Sequence, residues 1–124
     1  MTIRFYPHPD PSLPFAAATR VGNIVYLSGQ IGVDADGTLS PDIGIQSRVA
    51  MDNLAHSAVL AGVTLEDVFK CTVMLADMAD WSAFNAVYRE YFPPERLPAR
   101  SAFAAAGLAL GALVEIEAIA VARD

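Results

Sequence analysis

The sequence predicts an α+β fold in which two helices pack on one face of a mixed sheet, with elements in the order β-β-α-β-α-β-β. Two observations lead to this prediction. Short runs of alternating apolar and polar residues are separated by turn signals, whereas two longer runs repeat their apolar residues at helical spacing. Both helical runs are longer than any connection between elements, so each can cover a large part of one sheet face.

The bulk composition limits the possible classes of protein. The 124 residues are predicted to form one domain, residues 1–124. Because 54% of them are hydrophobic, either the core is unusually well filled or a subunit interface is present. The net charge of −6 argues against nucleic acid as a partner. With no signal-like N-terminal apolar segment and no uninterrupted apolar run of spanning length, we expect a soluble, cytoplasmic protein without a membrane partner.

The first predicted elements are an arm and a hairpin. Four prolines in residues 7–14 exclude regular structure there and predict an extended arm. A strand at Ala16–Val21, a turn at Gly22-Asn23 and a second strand at Ile24–Ser28 together form a hairpin. A further turn is predicted in residues 34–37.

A helix and a third strand follow. Apolar residues spaced three and four apart predict a helix from about Ile43 to Ala61, which Gly62 ends as a C-cap. Val68–Leu75 is predicted to be a strand because it is rich in β-forming residues. Its period of two places Phe69 on the same face as Cys71.

The second helix runs from Trp81 through Tyr91 and is predicted to be capped by Asp77 or Asp80. Pro93-Pro94 ends it, because proline cannot continue a helix. A strand at Ala99–Ala106 follows and leads through a glycine-containing connection to the last strand.

The last predicted strand, Leu113–Ala122, places Glu115 and Glu117 on one face and apolar residues on the other. Two carboxylates on one face repel each other unless solvent or a cation compensates them. They are therefore either a solvated sheet face or a general acid/base pair with a shifted pKa. Because the strand is apolar at most positions, we expect the second sheet face to be covered by another copy of the chain.

Arg100 follows Pro98 at the start of the preceding strand, among small residues. A guanidinium in such surroundings presents a rigid fork of donors that can grip a carboxylate with two hydrogen bonds. A salt bridge across the sheet to Glu115 or Glu117 would explain the residue without any ligand. Spacing alone does not decide between these two interpretations.

Three further positions carry weaker signals. Asn85 lies in a helix interior, where asparagine is mildly unfavourable, so either a site or a solvent-facing position would explain it. Ser28 offers a hydroxyl, and Gly29 permits close approach of the backbone. Cys71 is the single cysteine and is predicted to be an inert core residue, and the spacing of the two histidines does not suit a metal.

Six short segments form a pattern along the whole chain. They are Gly22-Asn23, Ser28-Gly29-Gln30, Gln46-Ser47-Arg48 leading to Asn53-Leu54, Asn85-Ala86-Val87-Tyr88 with Tyr91-Phe92, Pro98-Ala99-Arg100-Ser101, and Val114-Glu115-Ile116-Glu117-Ala118-Ile119-Ala120. In this order and with these gaps, the segments resemble the RidA (YjgF-type) family of enamine/imine deaminases. The resemblance implies a chorismate-mutase-like fold and a homotrimer with a site in each cleft between subunits.

The resemblance also implies an activity and roles for particular residues. The implied reaction is hydrolysis of reactive 2-imino acids of the 2-aminoacrylate type to 2-keto acids and ammonia, without a cofactor or metal. Arg100 corresponds to the arginine that grips the substrate carboxylate, and Glu115 to the glutamate that positions or activates water. The positions that line the implied pocket are Phe15, Ser28, Gly29, Asn85 and Ala102.

Two of these positions depart from the family pattern. Phe15 stands where the best-known members carry a tyrosine, and Ala102 replaces a frequent cysteine. Both changes make the pocket more apolar and leave the side chain of the substrate open. Three functions therefore remain: a general imine deaminase, a specialised deaminase of one catabolic pathway, or a non-catalytic module that binds small carboxylates such as keto acids and regulates a partner.

Overall fold

The computed structural model of the protein describes residues 2–123. Six strands form one mixed sheet in the order β1-β2-β3-β6-β4-β5, and neighbouring strands are antiparallel except for β4 and β5. The elements are β1 (Ile3–Tyr6), β2 (Ala18–Val21), β3 (Ile24–Ile31), α1 (Ile43–Leu60), β4 (Val68–Leu75), α2 (Trp81–Tyr91), β5 (Ala99–Ala104) and β6 (Val114–Val121). This architecture confirms the predicted α+β, chorismate-mutase-like fold.

The N-terminal strand β1 is absent from the predicted order, which becomes β-β-β-α-β-α-β-β. Ile3–Tyr6 pairs antiparallel with β2, so the proline-rich arm joins two strands and does not lead into the first one. A four-residue strand directly before a proline cluster is too short to show a clear alternation. The predicted hairpin is confirmed, with Val21 opposite Ile24, although its first strand begins at Ala18 and not at Ala16.

Both predicted helices are present. The side chain of Asp42 caps α1 by accepting a 2.9 Å hydrogen bond from the backbone N–H of Ile45. The capping at the start of α2 differs from the prediction. Asp77 caps a short 3₁₀ turn by accepting from the N–H of Ala79, whereas Asp80 makes no capping hydrogen bond to α2. No helix within residues 2–123 is long and apolar enough to cross a membrane.

The core lies between the two helices and one face of the sheet. On β4, the face turned toward the helices carries Cys71, Val73 and Leu75, all fully buried. Phe69 does not share this face as predicted. The pairing register shifts between Val68 and Lys70, and the resulting irregularity leaves the Phe69 ring 45% exposed.

Among residues 2–123, no helix packs against the other sheet face, which we call the open face. Period-two alternation along the paired strands places five large exposed apolar side chains there. They are Ile3, Phe5, Tyr26, Phe103 and Val121. So much apolar surface on one face is typical of a surface that another chain covers.

Candidate functional site

A β-bulge brings Glu115 against Gly29. The pairing of β3 with β6 shifts between Leu27 and Gln30, so Ser28 and Gly29 form the bulge. The Glu115 carboxylate fills the space next to Gly29, because a Cβ added at residue 29 would overlap its Oε2 atom. Because glycine has no side chain, the Glu115 carboxylate can lie directly against the backbone at residue 29.

Ser28 holds the chain segment that carries Phe15. Its hydroxyl donates a 2.6 Å hydrogen bond to the carbonyl of Ala16, and its backbone N–H donates to the carbonyl of Ala17. The Phe15 ring is 46% exposed and packs edge-on against His8, with ring centres 5.5 Å apart. We call Ser28, Gly29 and Glu115, together with the Phe15 segment that Ser28 holds, the Glu115 cluster.

Burial raises the pKa of the Glu115 carboxyl, and the nearby charge of Glu117 raises it further. The predicted shared face of the two glutamates is confirmed, but their surroundings differ. Glu117 is exposed and lines a separate cavity with Lys70 on the open face. A carboxyl with a raised pKa exchanges its proton nearer neutral pH, which suits Glu115 for general acid/base work.

Arg100 lies in a different place, in a cavity of about 190 Å³ between α2 and the start of β5. The guanidinium carbon is 4.7 Å from the ring centre of Tyr88, 5.9 Å from that of Phe84 and 6.0 Å from that of Trp81. Three aromatic rings thus hold the cation by cation–π attraction. The residues that line this Arg100 cavity are Trp81, Asn85, Tyr88, Arg89, Leu97, Pro98 and Arg100.

Asn85 lines the same cavity. Its side chain is only 7% exposed, and its buried Oδ1 atom has no hydrogen-bond partner among the described residues. Leaving a buried acceptor unsatisfied costs about 1–3 kcal/mol, so the fold keeps this amide at a cost. The amide and the guanidinium therefore face one small space from two elements.

Arg100 and Glu115 lie on opposite faces of the sheet, and a salt bridge within the chain is excluded. Arg100 is paired with Cys71 on the helix-covered face, whereas Glu115 is paired with Met74, three residues further along β4. Two strand spacings, about 10 Å, also separate the two strands. The same holds for Glu117, so the interpretation of Arg100 as a counterion of these glutamates is wrong.

Ala102 and Cys71 lie near Arg100, but both pack into the hydrophobic core. Ala102 is paired with Val73, and its methyl group packs against the core. Cys71 is fully buried, and this burial raises the pKa of its thiol to about 11. A thiol with this pKa is a poor nucleophile at neutral pH.

Three cavity residues were not singled out from the sequence: Trp81, Arg89 and Leu97. On α2, positions 81, 85 and 89 are each four residues apart and therefore share one face. This spacing is visible in the sequence once Asn85 is placed in a site. Leu97 gives no such signal, because it lies outside any regular element.

Comparison with known proteins places the chain among similar sequences and folds. A family model described as endoribonuclease L-PSP matches residues 6–122. A mouse protein named 2-iminobutanoate/2-iminopropanoate deaminase is 42% identical over 110 residues, which cover 87% of this chain and 81% of the mouse protein. The crystal structure of yeast YEO7 has a TM-score of 0.88 and 32% identity, over 98% of this chain and 100% of the yeast chain. That of Escherichia coli TdcF with bound serine has a TM-score of 0.84 and 33% identity, over 95% and 94% of the two chains.

Proposed function

The chain belongs to the endoribonuclease L-PSP family, the YjgF/Rid family of its structural neighbours, and we propose that it is an enamine/imine deaminase that hydrolyses 2-imino acids to 2-keto acids and ammonia. The observation that carries this proposal is the Arg100 cavity. An arginine with no carboxylate partner among residues 2–123 faces a small space together with an unsatisfied amide. The guanidinium of this arginine fits a small molecule with a carboxylate, which every 2-imino acid carries.

The proposed reaction needs little nucleophilic machinery, because the imine carbon is already electrophilic. Arg100 grips the substrate carboxylate and so fixes the orientation of the imine, which removes much of the entropic cost of reaction. Glu115 orients a water molecule and accepts its proton as the oxygen bonds to the imine carbon. The same carboxyl returns that proton to the nitrogen, which gives an amino alcohol. It then takes the proton of the new hydroxyl group and passes it to the nitrogen as the C=O bond forms and the C–N bond breaks, so that a keto acid and ammonia leave.

Because Arg100 and Glu115 face opposite sides of one sheet, we place each site between two copies of the chain. Arg100 and Asn85 come from one copy, and the Glu115 cluster comes from its neighbour. The exposed apolar side chains of the open face support this assembly, since a neighbouring copy would cover them. A closed ring of three chains, a homotrimer, repeats the same site in three clefts. We expect light scattering to give three times the 13.2 kDa of one chain.

A complementation experiment tests the shared site. Arg100→Ala and Glu115→Gln are each expected to be nearly inactive alone on 2-imino acids that an amino-acid oxidase generates in situ. Co-expression of the two variants forms mixed oligomers in which an intact Arg100 meets an intact Glu115 at about a quarter of the clefts under random assortment. Activity should therefore return to about a quarter of wild type. Activity that stays at the level of the separate variants would refute a site between subunits.

Gly29→Ala tests whether the position of the Glu115 carboxylate matters. The added methyl group must displace that carboxylate, and we expect kcat to fall about tenfold or more because the water loses its oriented base. The melting temperature should hardly change, since the far end of a flexible side chain can move aside. Gly107→Ala is the matched control, because a Cβ there meets nothing within 4 Å. A Gly29→Ala variant with wild-type kcat would argue against the role of Glu115.

The charge of the chain argues against the RNA cleavage that the name of the family model suggests. An acidic protein repels a phosphate backbone, and of the two histidines His56 is exposed on α1 while His8 is only partly exposed in the proline-rich arm. Within the described residues, no group of three or more His, Cys, Asp or Glu could hold a metal ion. The Arg100 cavity fits a small carboxylate better than a nucleotide.

A further inference from the structure

Arg89 and Arg100 stand apart from the other basic residues of the chain. The chain has eight lysines and arginines, and six of them contact a carboxylate, a polar atom of the chain or an aromatic ring at the protein surface. These six are Arg4, Arg20, Arg48, Lys70, Arg96 and Arg123. Arg89 makes no ion pair or hydrogen bond within residues 2–123, and Arg100 contacts only aromatic rings there. Both line the Arg100 cavity.

The position of Arg89 on α2 places it at the mouth of this cavity. It lies four residues after the buried Asn85, about 6 Å further along the same helix face, and is itself exposed. The negative end of the helix dipole favours a basic residue anywhere in the last turn. The dipole does not explain why this arginine is on the face that lines the cavity.

We propose that the Arg100 cavity selects 2-imino acids whose side chain ends in a second acidic group, which Arg89 binds while Arg100 holds the carboxylate next to the imine. This inference rests on the proposed function and names the substrate class of that same site. The wall of the cavity that the two cations share is largely apolar, with Trp81 and Leu97 available to contact methylene groups. A volume of about 190 Å³ suits a small ligand such as a short dicarboxylate.

Binding of stable 2-keto acids, the products, tests the selectivity without the reaction. Two matched pairs differ only at the far end of the molecule: 2-oxoglutarate against 2-oxopentanoate, and 2-oxoadipate against 2-oxohexanoate. Calorimetry of the wild-type protein should show about tenfold tighter binding of the dicarboxylate in at least one pair. Arg89→Gln should remove this preference and leave the affinity for the monocarboxylate within about twofold. Arg96→Gln is the control, since Arg96 is an exposed arginine outside this cavity.

The outcomes separate this inference from the proposed function. Equal binding of both members in both pairs overturns the dicarboxylate selectivity and leaves the deaminase proposal standing. Failure of the wild type to bind any of the four keto acids, together with no acceleration of imine hydrolysis, counts against both. A preference that survives Arg89→Gln overturns the role of Arg89. An Arg89→Gln variant whose oligomeric state changes, while its ratio of dicarboxylate to monocarboxylate affinity does not, also overturns this role. Arg89 would then serve a contact between chains.

Discussion

Replacing Arg100 by alanine is expected to lower kcat/KM for 2-imino acids by about 10²–10⁴-fold. A carboxylate gripped by a guanidinium gains two charge-assisted hydrogen bonds, each worth roughly 1.5–3 kcal/mol. The loss also frees the imine to rotate away from the attacking water, so both binding and kcat should fall. Steady-state kinetics on 2-imino acids generated by an amino-acid oxidase measure this effect.

Arg100→Lys distinguishes charge from geometry. A lysine keeps the positive charge but loses the planar fork and the stacking on Tyr88, so we expect it to recover only part of the lost activity. The matched control is Arg48→Ala, which removes an exposed ion pair with Glu90 and should leave the kinetics unchanged. If Arg100→Ala keeps full activity, the substrate carboxylate binds elsewhere.

The pattern of burial along single elements could be predicted from the sequence, because it depends on local periodicity. The alternation in β6 correctly separated Glu115 and Glu117 from the apolar residues that face the helices. The apolar stripe of α1 was equally readable, and Met51 and Leu54 on it are fully buried. In both elements, the burial of a residue follows from its neighbours two or four positions away along the chain.

Relations between elements could not be predicted in the same way. The last strand, β6, inserts between β3 and β4, and this leaves β5 at the sheet edge. Strand order depends on long-range pairing, so the spacing between Arg100 and Glu115 in the sequence gave no information about their faces. Bulges are equally hidden, since the shift that exposes Phe69 has no marker in the residues around it.

Two residues of one segment that supports the family resemblance have structural roles. The buried side chain of Gln46 donates to the carbonyl of Ser40 and accepts a hydrogen bond from the N–H of Leu113. Asn53 donates to the carbonyls of Ile31 and Val33 and so fixes the chain after β3. A motif in the sequence therefore mixes residues that we propose to bind a ligand with residues that hold the backbone, and only contacts separate the two.

Replacing Glu115 by glutamine is expected to lower kcat by about 10²–10⁴-fold, because an amide cannot accept the proton of the attacking water. The side chain keeps its size, so 2-keto acids should still bind to Arg100 with nearly unchanged affinity. Measuring kcat and keto-acid affinity side by side separates the two roles. A protein that only binds small carboxylates as a regulator would show no hydrolysis in either form.

Because the pKa of Glu115 is raised, the activity and the stability of the wild type should depend on pH in a way that Glu115→Gln does not share. The reaction needs the carboxylate form, so wild-type activity should fall as the pH drops through the raised pKa, above the ordinary glutamate value of about 4.3. Stability has the opposite sign. Between the unfolded and folded pKa values the folded state binds more protons, so the free energy of unfolding falls as pH rises through that window.

Above that window the ionised Glu115 lowers the free energy of unfolding, whereas a glutamine at this position does not. Glu115→Gln should therefore be at least as stable as wild type at pH 7 while being far less active. Wild type should gain stability relative to the variant as the pH falls toward 4. Thermal melting of both proteins between pH 4 and 8 measures this difference. A Gln variant that is markedly less stable at pH 7 would show that the carboxylate stabilises the fold, and its loss of activity would then no longer identify a catalytic base.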